Sequence, residues 1–309
     1  MSGPMLRLVD ESRNATKMLA AAGYSVKGNC LTRKVMQRVG RELVEMDKQI
    51  ANCFLRVMSE VTFDDGLTQN KRFAVAGVLA DGRQLPEVQV PADQFGAMNW
   101  PVKSWGLAVN IEPGQGNRDL LRHALQITAQ DVESRTVYSH LGWRKIGRDW
   151  VFLHAGMLGE IEVNVTEENL QRYELQPANP EAMQTAVQLL DVAPREITIP
   201  TMALAFLGPL CEPLRMAGVE PAFVLWLAGS TGAMKSTLSA LFLSFYGRFD
   251  SRSLPGNFRD TGNSLEKRAF AAKDVVFVID DYHPCSSDAE ARQMQQTAQR
   301  ILRSYGDRQ

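Results

Sequence analysis

The chain has 309 residues, 45% hydrophobic and 22% charged, with 34 Lys and Arg against 35 Asp and Glu. This balance excludes a globally basic nucleic-acid coat and a highly charged disordered chain, and it leaves enough apolar residues for two domains or one large one. Cys30, Cys53, Cys211 and Cys285 are scattered without a CxxC pair, which argues against a zinc site or a disulfide framework and suits buried thiols of a cytosolic protein.

Residues 1–51 read as a helical segment, because Val35, Val39, Leu43, Met46 and Ile50 recur at helical spacing with Arg, Lys and Glu between them. Its N-terminus lacks the apolar core of a signal peptide. Near residue 54 the period drops to two: Leu55, Val57, Val61 and Phe63 alternate with polar residues up to the turn Asp64-Asp65-Gly66. Phe73–Leu79 and Leu85–Val90 read as strands joined by Ala80-Asp81-Gly82, and Asn117–Ile127 as a helix. Thr136–Trp143, Asp149–His154 and Glu160–Val165 read as further strands, so residues 52–175 are expected to form a β-rich α+β module. The hairpin Gly142–Trp150 sets Arg144, Lys145 and Arg148 between two tryptophans. Aromatic faces stack bases and cations neutralise phosphates. A hairpin with tryptophans in the core and charges in water accounts for the same residues and is the preferred reading.

Gln176-Pro177-Ala178-Asn179-Pro180 reads as a linker, followed by helices over Glu181–Val192 and Pro200–Met216 that open a domain of residues 176–309. The longest apolar stretch, Thr201–Leu214, is interrupted by Pro209, Cys211, Glu212 and Pro213 and is expected to be too short to span a bilayer. The chain is therefore expected to be cytoplasmic, with no membrane partner.

The most informative stretch comes next. The apolar run Ala222–Leu227 predicts a strand, and Leu238–Tyr246 a helix. Between them lies Gly229-Ser230-Thr231-Gly232-Ala233-Met234-Lys235-Ser236-Thr237. A strand, a small-residue loop with a lysine, then a helix is the layout of a phosphate-binding P-loop. Backbone N–H groups and a helix N-terminus hold the anion. Lys235 would reach the β and γ phosphates, the Ser236 hydroxyl would sit on Mg²⁺, and Thr237 would lie near the α phosphate. The implied ligand is a nucleoside triphosphate, taken as ATP with Mg²⁺. The pattern departs from the usual one at Met234, where glycine ordinarily precedes the lysine. A chance Gly/Ser turn between a strand and a helix is the competing reading.

Val275-Val276-Phe277-Val278-Ile279 followed by Asp280-Asp281 predicts a buried parallel strand ending in two carboxylates. This is a Walker B pattern: Asp280 would hold Mg²⁺ through water, and Asp281 would orient the attacking water. An ordinary strand ending in a solvated acidic turn is the alternative. The interval from Lys235 to Asp280 has room for a short strand near Ser251–Leu254 and a helix over Ser264–Ala272. That order fits ATPases of the AAA+ and RecA type, and the guanine-reading Asn-Lys-x-Asp is missing. The expected fold is α/β: a P-loop NTPase core with a parallel sheet, preceded by the β-rich module and the helical segment. The chain ends soon after a helix over Asp288–Tyr305, so the core is expected to be incomplete at its C-terminus, without sensor or arginine-finger residues. Arg300 and Arg303 on that helix read as a solvated face, or as a finger for a neighbouring subunit.

The block Gly229–Thr237, the stretch Phe258–Glu266, then Ala271, Lys273, Asp274 and Asp280-Asp281-Tyr282-His283-Pro284 resemble the P-loop family called domain of unknown function 927. Met98-Asn99-Trp100, Trp105-Gly106, Thr136-Val137-Tyr138 and Gly142-Trp143-Arg144 resemble its N-terminal part, and the likeness covers most of residues 50–309. Members occur in phages, plasmids and integrated elements, commonly beside primase domains. The resemblance implies a replicative helicase-like ATPase of a mobile element, assembled as a homo-oligomeric ring on single-stranded or forked DNA, with a primase as partner. It carries over to Lys235, Ser236, Asp280 and Asp281. It also places Asn263 and Glu266 near the nucleotide, although a helix capped by Thr261 or Asn263 explains that stretch equally. The alternative is a nucleotide-binding scaffold or regulatory ATPase that partners a primase without productive hydrolysis alone. A defence ATPase on the same fold is a third reading.

Overall fold

A computed structural model describes residues 14–114, 116–177, 179–219, 221–283 and 287–306. Residues 1–13 of the expected helical segment, and Cys285, lie outside the described residues. The chain divides into two compact units: the first holds the residues up to Phe63 and Gln69–Thr136, the second Asp64–Thr68 and the residues from Val137 onward.

The first unit begins with a helix, α1 (residues 14–21), and continues as strands. β1 (Tyr24–Lys27), β2 (Cys30–Val39) and β3 (Glu42–Ala51) form an antiparallel sheet in the order β1-β2-β3. The helical expectation for residues 24–51 is therefore corrected. Its apolar spacing also suits a hairpin, in which Val35 faces Met46 and Gln37 faces Val44. Turn chemistry decides between the two. Gly28 and Asn29 both have positive φ, as a two-residue type I′ turn requires, and Gly40 turns β2 into β3 at φ +66°.

β4 (Cys53–Asp64), β5 (Gln69–Leu79) and β6 (Gln84–Pro91) follow, close to the stretches that alternate in sequence. α2 (Ala92–Phe95), α3 (Trp100–Trp105) and α4 (Asn117–Thr128) pack on them, and β7 (Ser134–Tyr138) returns to the sheet. Buried Leu19, Leu31, Ile50, Leu55, Val75, Leu121 and Leu125 belong to one core. Burial raises the Cys53 thiol to about 12, so it is an inert packing group.

The second unit continues with the hairpin β8 (Gly142–Ile146) and β9 (Asp149–Leu153), then β10 (Gly156–Leu158) and β11 (Ile161–Val163). The single strand expected over Thr136–Trp143 is thus two, broken at Ser139–Leu141. β11 pairs in parallel with β7, and a mixed six-stranded sheet runs β10-β11-β7-β4-β5-β6. The break holds a buried polar group. His140 is fully buried; its Nδ1–H donates to Leu141 O at 2.8 Å, and its Nε2 has no partner among the described residues. Buried Asp64 accepts from the Arg144 guanidinium, and Trp143 N donates to Asp274 Oδ2 at 3.0 Å. Trp143 is packed edge-on against Phe152, while Trp150 is half exposed.

Then come α5 (Pro180–Val187) and α6 (Arg195–Met216). Asn179 caps α5 by accepting from Glu181 N. At 22 residues α6 is longer than its apolar run suggested, and by length and composition alone it could cross a membrane. It carries Pro200, Pro209 and Pro213 in its interior. A helical proline has no N–H for the carbonyl four residues earlier. Pro209 thereby frees Ala205 O, which accepts from the Tyr246 hydroxyl; Pro213 frees Pro209 O, which accepts from Trp143 Nε1 at 2.7 Å. Thr198, Thr201, Ala205, Gly208 and Glu212 are the buried residues of this helix.

The last elements are α7 (Lys235–Leu243), β12 (Gly256–Asn257), α8 (Gly262–Ala271), β13 (Ile279–Asp280) and α9 (Asp288–Gly306). Tyr138, Leu141, Leu153, Val163 and Tyr173 share a core with Ala240, Leu243, Tyr246 and Ala272, and Val275–Val278 packs against it. The expected extended parallel sheet is reduced among the described residues to the pair β12–β13, with Gly256 opposite Ile279 and Asn257 opposite Asp280. Ala222–Leu227 is not a strand, and Val275–Val278 is only half-buried. A strand exists by virtue of its hydrogen-bonded neighbour, and Ala222–Leu227 has none among the described residues. The strand expected near Ser251–Leu254 lies later, at β12. Asp250 instead starts a turn there, accepting from Arg252 N at 2.7 Å while Ser253 Oγ accepts from Asp250 N.

Candidate nucleotide site

The loop Gly229–Met234 runs directly into α7, whose first residue is Lys235. The backbone turns left-handed twice, at Gly232 (φ +84°) and at Met234 (φ +56°). Glycine takes such angles without strain; methionine does so at a cost of about 1 kcal/mol or more. Met234 is also 72% exposed, so packing does not offset the strain. Strain of this kind, held against local preference, is typical of ligand-binding turns.

Lys235 folds back over the loop. Its Nζ donates to Gly229 O at 2.9 Å and Ser230 O at 3.0 Å. The ammonium therefore stands over the concave side of the turn at a helix N-terminus, where amide N–H groups and the helix dipole favour an anion. Ser236 is half-buried in the first turn of α7; Ser230, Thr231, Ala233 and Thr237 are exposed.

The acidic pair sits at the end of β13. Asp280 is its last residue, and its backbone carbonyl accepts from Phe258 N at 2.9 Å. Asp281 leaves the strand with φ +68°. Its carboxylate lies between Arg259, with Nε 3.1 Å from Oδ2, and the His283 ring, with Nδ1 3.4 Å from Oδ1. Sequence reasoning placed Arg259 and His283 within the family pattern and gave neither a role. The available signal was that Arg259 follows the strand neighbouring the acidic one.

Aromatic contacts tie the two motifs together. Trp226, three residues before Gly229, lies 5.1 Å from the ring of Tyr282, which directly follows Asp281, and 6.1 Å from Phe258. Phe258 and Tyr282 are themselves 5.1 Å apart. The segment that leads into the loop and the segment that leaves the acidic pair are thus neighbours. The donor set suits a polyphosphate with a divalent cation: a lysine and helix N-terminus for anionic oxygens, and a hydroxyl and a carboxylate for a hard metal. Lys235 and residues 229–237 would hold the phosphates, and Ser236 and Asp280 the Mg²⁺.

The stretch around α8 follows the capping reading. Thr261 caps α8, accepting from Ser264 N at 3.3 Å. Glu266 is bound by Arg300, with Nε at 2.7 Å and Nη2 at 2.5 Å, and by Ser304 at 3.0 Å. The pair joins α8 to α9, so Arg300 is committed within its own chain.

The fold is a mixed α/β arrangement with a lysine loop at a helix N-terminus and a paired carboxylate on a short parallel strand. The chain matches the family described as a domain of unknown function (DUF927) over residues 86–298, and it belongs to that family. No curated protein matches it.

Proposed function

We propose that this protein is an ATP-binding and ATP-hydrolysing P-loop ATPase that acts as a DNA helicase or replication protein of a mobile genetic element, in the cytoplasm. The observation that carries the reading is Lys235 at the first position of α7, with its ammonium folded over the loop carbonyls of Gly229 and Ser230. Lys235 would neutralise the phosphates, and residues 229–237 would cradle them. Ser236 and Asp280 would hold Mg²⁺, which supplies charge neutralisation at the transferring phosphoryl group. Asp281 would orient the attacking water, since phosphoryl transfer asks the protein mainly for positioning and electrostatics. DNA, a primase and further copies of the chain are the partners this reading implies.

Two features favour a second reading, a nucleotide-binding scaffold or regulatory ATPase: the strained Met234 in the loop, and Asp281 already engaged by Arg259. Calorimetry of Mg·ATP binding to the protein and to Lys235→Ala tests the phosphate site. Binding lost in the variant supports it; no binding by the folded wild-type chain overturns both readings. DNA-stimulated turnover then separates helicase from scaffold.

A further inference from the structure

A second basic site lies in the turn between α7 and β12. An open pocket of about 450 Å³ is lined there by Arg172, Asp250, Ser251, Arg252 and Ser253. That volume falls among those of small-molecule sites, about 300–1,000 Å³. Lys235 begins α7 and this turn follows its other end, so the nine residues of α7, about 13 Å of helix, stand between the two places. Asp250–Ser253 also precedes β12, whereas Asp280 ends the strand parallel to it.

Packing fixes the walls of the pocket. Buried Tyr173, next to Arg172, is edge-on to Phe249, next to Asp250, with ring centroids 4.9 Å apart. Gly247 has φ +154°, and a Cβ there would collide with Arg172 O, so glycine is what lets the two backbones approach. Asn169 Nδ2 donates to Leu254 O at 3.5 Å across the same seam. Arg172 and the Asp250 turn are therefore held together by the fold itself, as a preorganised site requires.

The charges of the pocket are unequal. Arg172 Nε is buried and has no hydrogen-bond partner among the described residues. Buried side-chain donors are nearly always met, so this one calls for an explanation. Arg252 is exposed and joins the turn through its backbone N–H, which donates to Asp250 Oδ1 at 2.7 Å. The Asp250 carboxylate is thus committed within its own turn. Buried Ser253 is committed too, its Oγ accepting from Asp250 N at 3.0 Å. Two guanidinium groups against one carboxylate leave a positive balance, and the guanidinium fork matches the oxygens of phosphate.

The geometry points to a second phosphate site, in which Arg172 and Arg252 hold a phosphate group and the exposed Ser251 hydroxyl adds a donor. The inference does not rest on the nucleotide reading of the Lys235 loop.

Calorimetry of the full chain tests it with ribose 5-phosphate, with inorganic phosphate as the bare group and ribose as the phosphate-free control. Ribose 5-phosphate should bind and ribose should not. Arg172→Gln and Arg252→Gln should each weaken binding by about tenfold or more. Lys235→Ala should leave it within about twofold, since that lysine is at the far end of α7. Weaker binding of inorganic phosphate would assign the site to a phosphorylated small molecule, and equal binding would assign it to the free ion. Circular dichroism establishes that each variant is folded, and exposed Arg252 is the position least able to disturb packing. No binding of either phosphate probe, or binding that survives both arginine variants and disappears in Lys235→Ala, would overturn the inference. Mg·ATP binding is measured separately, so its absence would end the nucleotide reading and leave this result standing.

Discussion

Met234 and Arg259 show how single residues set the character of the candidate site. Met234 is a bulky residue held left-handed with its side chain in solvent. Met234→Gly is expected to raise stability by about 1 kcal/mol, because the folded backbone loses its steric strain. A urea titration measures this, and a destabilised variant would show that the Met234 side chain is held by contacts the left-handed turn requires. Arg259 contributes differently. Arg259 is well exposed and Asp281 partly so, and their ion pair is therefore easily broken. If Asp281 orients water, Arg259 masks it. Arg259→Ala should then raise kcat for ATP hydrolysis by up to about fivefold and leave KM within about twofold, while Arg259→Lys restores the masking. A fall in kcat instead would make Arg259 a group that stabilises the transferring phosphate.

At the scale of elements, the break between β7 and β8 carries a pH signature. Burial is the main reason His140 holds its proton less well than an exposed histidine, and the nearby Lys273 and Arg144 act in the same direction. The Leu141 carbonyl and Asp64 act against it. With its pKa lowered on folding, His140 is neutral in the native state over a range where the unfolded chain already binds a proton. Stability from this site is therefore full above the ordinary histidine value of about 6.5 and declines as pH falls through it. Urea midpoints at pH 7.5 and 5.5 should differ by more in the wild type than in His140→Phe (both values bracket that pKa of about 6.5). Equal differences would show that other groups dominate acid sensitivity. Asp274 moves the other way, its carboxyl raised chiefly by burial, so at neutral pH its charge costs stability that protonation would recover.

Over the whole molecule, the legible parts were those governed by local pattern. The alternation through β4–β6, the helices α4, α7, α8 and α9, and the loop around Lys235 all stand in the sequence as period, cap or motif. The region Tyr24–Ala51 did not, because its apolar residues satisfy two periods at once, and only Gly28-Asn29 and Gly40 decide between them. The sheet expected around the acidic pair failed for a different reason. Val275–Val278 has strand composition, but strand structure is a property of a pair, and composition cannot supply the neighbour. The Arg259–Asp281 pair was invisible because Arg259 meets the carboxylate through tertiary placement, whereas His283, two residues on, meets it locally. The hairpin at Gly142–Trp150 came out between its two readings: Trp143 is anchored, Arg144 is tied to Asp64, and Lys145, Arg148 and Trp150 are exposed.

Helix α6 carries a consequence of its prolines. Along an intact helix every interior carbonyl is already taken, so a side-chain donor approaching from outside finds no preferred place to bind. Pro209 and Pro213 leave two acceptors one turn apart, and Tyr246 and Trp143, from different elements, take one each. A shift of the helix by a single turn would misplace both donors, and each buried carbonyl left unmet costs about 1–3 kcal/mol. The address at which α6 docks is thus written in two missing protons, which gives a nearly featureless apolar helix a single register.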